Sequence, residues 1–460
     1  MTPATRKHLV CRCLLGFRSV DGEALGTGSS GLSLRMSNEQ PIAIGSRENW
    51  GDRIPFGISP SDLRQHLYLV GKSGTGKTTL LRNLILQVVE QGDGVGVIDP
   101  HGDLAEELLD LIPRHRIEDT VYFNPADLEH PIGFNVLRTK APPHLVASGI
   151  VGALKSIWRE SWGPRLEYIL YASIAALLDC ENVSLLGLQR MLSDARYRAW
   201  VVKQVKDPMV RIFWLHEFQN YERRFLQEAI APIQNKVGQL LMSPVTRNIL
   251  GQVQSTIDAR FMMDRGKIFI ANLSKGRLGE DKSNLLGALL VTQFQLAAMS
   301  RADVPESTRR QFSLFVDEFQ SFSSDSFTSI LSEARKYRLG LILSHQYIAQ
   351  VDPEVRDAVF GNVGSLISFR VGQSDAEALE KEFGRVFPAT QFTHLANHEV
   401  LANLIAGGSH FDPFFGRTDP PITRKRGWKE TIVARSRLKY SNSKAVVEER
   451  IRRWIGEVSG

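Results

Sequence analysis

Eight consecutive residues, Gly71-Lys72-Ser73-Gly74-Thr75-Gly76-Lys77-Thr78, follow G-x-x-x-x-G-K-[ST] in full. The chemistry that pattern serves is phosphate binding. Its glycines let successive backbone N–H groups curl toward one anion, and a helix starting at the end of the loop adds a partial positive charge. Lys77 is expected to reach the β- and γ-phosphates of a nucleoside triphosphate, and the Thr78 hydroxyl to ligate Mg²⁺. The expected nucleotide contacts run through Gly71, Lys72, Ser73, Gly74, Thr75, Gly76, Lys77, Thr78 and Thr79, with ATP and Mg²⁺ as the ligands.

A second chemical group lies far downstream. Phe312-Ser313-Leu314-Phe315-Val316 is an apolar run that ends in two carboxylates, Asp317 and Glu318. Asp317 is the candidate to complete the Mg²⁺ shell opposite Thr78. Glu318 is the candidate to orient the attacking water and accept its proton. The next apolar run, Leu339–Ser344, ends in His345-Gln346; Gln346 could hydrogen-bond the γ-phosphate or the water, while His345 has no metal-ligand partner nearby and reads as structural. Charge developing on the γ-phosphate calls for a cation, often supplied by a neighbouring subunit. Arg335, Arg338 and Arg370 are candidates, with Arg335 preferred.

These groups need a frame. His66–Val70 reads as a buried strand before the loop, and Thr79–Gln87 as a helix after it, with Leu80, Leu81, Leu84 and Val88 on one face. Gly94–Ile98 reads as a strand leading to Asp99-Pro100-His101-Gly102-Asp103, and Thr120–Phe123 as another. From about residue 141 to 263 the strand signal gives way to helical periodicity, as in Ile150, Val151, Leu154, Ile157 and Trp158, or Leu226, Ile230, Ile233, Val237 and Leu240. Strands return at Lys267–Leu273, Phe312–Val316, Leu339–Ser344, Ser365–Val371 and Val400–Ala406, with helices at Ser283–Met299 and Phe327–Tyr337. The expected fold class is α/β, with a mainly parallel central sheet and an inserted all-helical subdomain. The expected division is 1–40 (partly flexible, with a Gly/Ser break at Gly26–Gly31), 41–140, the insertion 141–263, 264–416, and a basic tail 417–460; Pro41–Ser61 reads as turn-rich.

Composition bounds the rest. The chain has 460 residues, 43% hydrophobic and 23% charged, the balance of a globular protein. No uncharged apolar run reaches 18 residues, so no membrane span is expected. Arg12 interrupts the nearest signal-like stretch, His8–Phe17. Cys11, Cys13 and Cys180 are too few for a disulfide framework and lack zinc-site spacing, which fits a reducing cytoplasm. Residues 417–460 carry 12 Lys/Arg against 5 Asp/Glu, a net of +7, whereas the whole chain is +6, leaving the remainder at −1. Such a tail reads either as a solvated terminus or as an arm that tracks phosphates or docks a partner.

The phosphate loop, Val97–Leu104, Val316-Asp317-Glu318-Phe319-Gln320, Ser332–Tyr337 and Ser344-His345-Gln346 occur in an order that resembles the conjugative DNA-transfer, or type IV secretion coupling, ATPases of the HerA–FtsK superfamily, over roughly residues 40–410. The resemblance implies a RecA-like P-loop NTPase domain with an all-helical insertion, assembled as a hexameric ring around DNA with each nucleotide at a subunit boundary. It carries Lys77 and Thr78 over as phosphate and Mg²⁺ contacts, Asp317 and Glu318 as the acidic pair, and Gln346 as a sensor. Membrane-anchored coupling proteins begin with transmembrane helices, which are not read here. The N-terminal region is also short for the β-barrel of the superfamily's end-resection translocases. The implied protein is therefore a cytoplasmic ATPase, meeting the inner membrane only through partners such as a relaxase, a nuclease or a secretion complex. Two functions follow: an ATP-driven DNA translocase, or an ATP-dependent switch or scaffold that docks proteins without moving DNA. A small-molecule kinase fits less well, because tandem carboxylates suit water activation.

Overall fold

The computed structural model describes residues 40–323 and 327–457, so the cysteines and the Gly/Ser cluster near the N-terminus lie outside the described residues, as does the signal-like stretch. Its centre is an eleven-stranded sheet in the order β2-β1-β13-β10-β9-β3-β8-β7-β4-β6-β5. The strands are β1 (Ile42–Asn49), β2 (Asp52–Ile58), β3 (Leu67–Val70), β4 (Gly94–Asp99), β5 (Thr120–Phe123), β6 (Ile268–Asn272), β7 (Phe312–Val316), β8 (Leu339–His345), β9 (Ser365–Ser368), β10 (Glu399–Asn403) and β13 (Phe414–Thr418). Two short strands, β11 (Ile405–Ala406) and β12 (Ser409–His410), pair with each other apart from the sheet.

From β9 to β5 every pairing is parallel. These seven strands are buried along nearly their whole length, the pattern of a sheet covered on both faces, which is why they read as unbroken apolar runs. Alternation sorts their side chains. Leu67, Leu69, Val95, Val97, Ile268 and Ile270 face the helices Lys77–Glu90 and Asp103–Leu111. Tyr68, Val70, Ile98, Phe269 and Ala271 face the other way, into a core continuous with the helical block.

The helices between Pro143 and Arg265 form that block, entered from the chain after β5 and left into β6. It shares one apolar core with the sheet: Pro143–Ile157 packs on the long helix Glu280–Ser300, and Ile150 and Leu154 are buried in the same cluster as Leu289 and Phe294. The Leu226 side chain lies outside the described residues, whereas Ile230, Ile233, Val237 and Leu240 are buried as the periodicity predicted. Glu280–Asp303 has the length and apolar composition of a membrane span, but 83% of that window is buried in this core.

Two stretches differ from the sequence expectation. Pro41–Ser61, read as turn-rich, forms the β1–β2 hairpin, closed at Trp50-Gly51, both with positive φ. Residues 417–457 do not hang free: β13 ends at Thr418 inside the sheet, and the helices Lys429–Tyr440 and Lys444–Glu457 pack back on the fold. The first lies against β5, exchanging hydrogen bonds between Ser436 Oγ and the Tyr122 backbone; the second packs on the helical block through Val447, Ile451 and Trp454.

Candidate functional site

The parallel strands all finish at one end, where an open α/β sheet places its ligands. There β3 ends in the glycine loop. The loop is strung between its neighbours: Gly71 N–H donates to His345 O of β8 at 3.3 Å, and Lys72 N–H to Arg370 O, just past β9, at 2.8 Å. A Cβ at Gly71 would come within 2.5 Å of the Phe369 Cβ, so only glycine fits. Gly74 and Gly76 take φ of +75° and +119°, which carries the chain around the anion cradle. The helix Lys77–Glu90 has no side-chain cap at Gly76, leaving its first N–H groups free to meet phosphate. Thr78 is exposed at its first turn.

Lys77 is buried and folds back, its Nζ donating to the carbonyls of Gly71 and, at 3.1 Å, Lys72. Burial pushes its pKa down, and the negative charges of Glu318 and Asp317 oppose that shift. The two carboxylates therefore stand close enough to act on the lysine although 240 residues of chain separate them from it.

Asp317 follows β7. Its Oδ1 accepts from Ser344 Oγ at 2.7 Å and from Glu318 N–H at 3.1 Å. Its pKa is raised to about 6, by burial above all and by the nearby carboxylates of Asp99 and Glu318, against the opposing effect of the Ser344 hydroxyl and Lys77. A buried carboxylate held among like charges is a group that a cation would relieve. The donors on hand, Thr78 hydroxyl and Asp317 carboxylate, are hard oxygens suited to Mg²⁺, which takes one or two protein ligands and completes its shell with phosphate and water. Asp99 is engaged differently: it accepts from His101 and Ala105 N–H at 2.8 and 2.9 Å, tying down the loop before Asp103–Leu111. Asp103 itself is exposed.

Glu318 is buried, in left-handed backbone at φ 46°. For a side chain with a Cβ that conformation costs roughly 1–3 kcal/mol, and it turns the carboxylate off the strand's alternation. Gln346 follows β8 and is half-buried at the same end of the sheet. His345 is fully buried beneath it, Nε2 3.2 Å from Tyr68 Oη; burial first, then the Lys77 charge, lowers its pKa to about 3, so it stays neutral.

The three arginines separate. Arg335 lies in the 3-10 turn Ala334–Tyr337 ahead of β8, at the opposite end of the sheet. Its charge is felt by His66, just before β3. The seven residues of β8 put roughly 20 Å between Arg335 and Gln346, so within one chain Arg335 is remote from the loop. Arg338, φ 53°, stands at that same far end. Only Arg370 is beside the loop, held at 3.3 Å by Leu395 O and Asn397 Oδ1.

Sequence reasoning missed His398. It has φ 67°, its N–H donates to Thr75 O at 2.8 Å, and its imidazole lies against Gly76, with Nδ1 buried and lacking a partner. No local pattern announces it, because the contact joins β10 to the loop through the sheet. The tail cations, which from sequence read either as a solvated terminus or as an arm that tracks phosphates or docks a partner, find acids within the chain: Lys429, Arg437 and Lys444 pair with Glu106, Asp127 and Glu129 at 3.4, 2.7 and 3.2 Å, and Arg426 and Arg435 pair with Glu90 and Glu118. The acids that neutralise them belong to residues 90–129 of the chain's own sheet-covering face.

Residues 53–202 match the family model of the type IV secretion-system coupling protein DNA-binding domain. No curated protein matches the sequence. Among solved structures the chain is similar to the plasmid coupling protein TrwB in complex with the non-hydrolysable ATP analogue ADPNP, at 17% identity over 85% of this chain and 92% of that one, TM-score 0.60. It is similar to TrwB in complex with ADP and Mg²⁺ at 16% identity, over 85% and 93%, TM-score 0.58. VirB4 of Thermoanaerobacter pseudethanolicus aligns at 15% identity, over 84% and 98%, TM-score 0.51. At these identities the structural likeness is one of fold. In motif order, family-model match and architecture, the chain is a P-loop protein of RecA-like NTPase fold that resembles the conjugative coupling ATPases of type IV secretion.

Proposed function

We propose that the protein is an ATP-hydrolysing motor that acts on DNA in a type IV secretion or conjugation setting, working as a head-to-tail ring. The observation that carries the reading is the convergence, at one end of one sheet, of an uncapped helix start, a buried lysine and two buried carboxylates. In this reading the loop N–H groups of residues 71–79 and Lys77 hold the triphosphate, Lys77 exchanging its two carbonyl acceptors for phosphate oxygens. Thr78 and Asp317 hold Mg²⁺, which when bound neutralises charge on the β- and γ-phosphates. Glu318 orients water and accepts its proton, and Gln346 senses the γ-phosphate. Arg335, exposed and without a partner among the described residues, reaches the nucleotide of the adjacent subunit.

DNA as the substrate is supported by the match to a coupling protein DNA-binding domain. The competing reading, a protein-docking switch, draws on the tail, whose cations are largely paired internally and so offer little to a phosphate backbone. ATPase rate at low salt, with and without single- and double-stranded DNA, separates the two: stimulation is expected, and an unchanged rate would favour the switch. Mass measurement with ATP should give six copies; a monomer at working concentration would remove the ring.

A further inference from the structure

We propose that Gln320 is a positioning residue for Glu318. The inference rests on the reading of Glu318 as the group that activates water. The Gln320 Nε2 donates to Glu318 Oε2 at 2.7 Å, two residues along a turn that brings the side chains together because Glu318 has left-handed φ. A carboxylate only accepts, so the amide nitrogen must face it, which turns Oε1 of Gln320 the other way. That oxygen is buried and has no partner among the described residues. An amide with one end fixed on the base and the other unfilled is poised to keep the carboxylate in a single rotamer.

The turn carrying Gln320 is itself clamped. Phe319 is fully buried, stacked 5.6 Å from Phe327 and edge-on at 5.1 Å to His345, and Phe322 is fully buried over Gly287. Ser321 Oγ accepts from Lys275 Nζ at 3.0 Å, and Lys275 N–H donates to Pro100 O at 2.8 Å. Loops after β4, β6 and β7 thus meet at this turn. Gln320 transmits their rigidity to a carboxylate that backbone geometry alone would leave free to rotate about its side-chain torsions.

A hydrogen bond to a charged group is worth enough that its loss should lower kcat about 10- to 100-fold. The test uses the full-length protein in single-turnover ATP hydrolysis, with nucleotide affinity read from a fluorescent ATP analogue. Gln320→Met keeps the side-chain length and removes the donor; Gln320→Glu keeps the shape and replaces the donor with a like charge. Both should lose kcat while KM for ATP and analogue affinity stay within about twofold, and either serves if the other does not fold. In the Glu318→Gln background the Gln320→Met change should cost nothing further, because the two act as one unit. Undiminished kcat, a KM rise that accounts for the loss, or an equal loss in the Glu318→Gln background would each overturn the role. Glu318→Gln turning over like the wild type would instead remove the base assignment on which it rests, a distinct outcome.

Discussion

Where β3, β7 and β8 finish, three carboxylates (Asp99, Asp317 and Glu318) are buried, two of them acting on the buried Lys77 and Asp99 on Asp317, whereas where the same strands begin, four arginines donate into backbone carbonyls. At that second end Arg116 serves Val89, Asp93 and Gly266, Arg301 serves Arg310 and Tyr337, Arg309 serves Val304 and Lys336, and Arg310 serves Arg265 and Gly92. One end holds negative charge short of a counter-ion. The other holds positive charge that is largely matched, with Arg335 exposed on a turn whose carbonyls at Lys336 and Tyr337 are pinned by Arg309 and Arg301, next to Arg338, whose Nε is buried and lacks a partner among the described residues. Under the proposed function, the first end receives the nucleotide and the second holds its turns fixed, and a head-to-tail ring would bring the Arg335 cation of one subunit to the carboxylates of the next.

The strongest blow to this contrast falls on the ligand end. Lys77→Ala and Glu318→Gln should each cut hydrolysis by about 100-fold or more, yet only the first should lose nucleotide affinity, read by equilibrium titration of a fluorescent analogue. Parallel loss of binding in both would dissolve the distinction between holding ATP and cleaving it. Arg335→Ala should cost about 1,000-fold in kcat if it acts across a boundary. Mixing Arg335→Ala with Lys77→Ala protein should then restore measurable turnover, since a boundary with both wild-type groups forms only in the mixture; no recovery would confine Arg335 to its own chain.

Stability sharpens the same contrast with smaller effects. The folded-state pKa of Asp317 is raised to about 6 from 3.8, so its folded form binds the proton more readily and the carboxylate destabilises the protein as pH rises through 6. Asp317→Asn should therefore stabilise the nucleotide-free protein above pH 6, by about 3 kcal/mol at most, and so raise its melting temperature, while abolishing Mg²⁺-dependent hydrolysis. His66 works with the opposite sign. Burial above all, and the charge of Arg335 to a lesser degree, lower its pKa to about 4 from 6.5. The unfolded chain takes up the proton first on acidification, so stability is lost as pH falls below 6.5, about 2 kcal/mol from this residue by pH 5. A pH series of thermal melts on wild type and His66→Gln should show that share of the slope disappearing. The smallest effect belongs to the tail: Trp454→Ala removes a 5.4 Å stacking contact with Arg190 and a 3.1 Å bond to Asn182 O, and should cost about 1–2 kcal/mol in denaturant unfolding.

Much of the fold was legible because the physics is local. A fully buried parallel strand must be apolar throughout, so β3, β4, β6, β7 and β8 stood out, as did the glycine loop and the carboxylates that end β7. The antiparallel extension was not legible in full. Ile42–Asn49 and Phe414–Thr418 are half-exposed and mix polar with apolar residues; the first also pairs in its hairpin with β2 and the second with β10, but they join the sheet to each other only across nearly the whole chain. His398 and Arg370 came to the loop by the same long-range route. The tail misled for a different reason: a run of cations looks free in sequence until the acids that meet it, scattered from Glu90 to Glu129, are placed in space.

The closing helix Lys444–Glu457 has a mechanical meaning. The helical block is tied to the sheet by two covalent crossings, one after β5 and one before β6, and these strands are neighbours. Two attachments define an axle, about which a body can swing. The closing helix adds a third, gripping the block at Asn182, Arg190 and Asn248 while Lys429–Tyr440 is seated on β5. The apolar core that block and sheet share already holds the door shut, and this anchor bolts it. For the block to rotate against the sheet, the Trp454 and Glu448 contacts must let go together with that core, so the last helix adds to the torque at which block and sheet part.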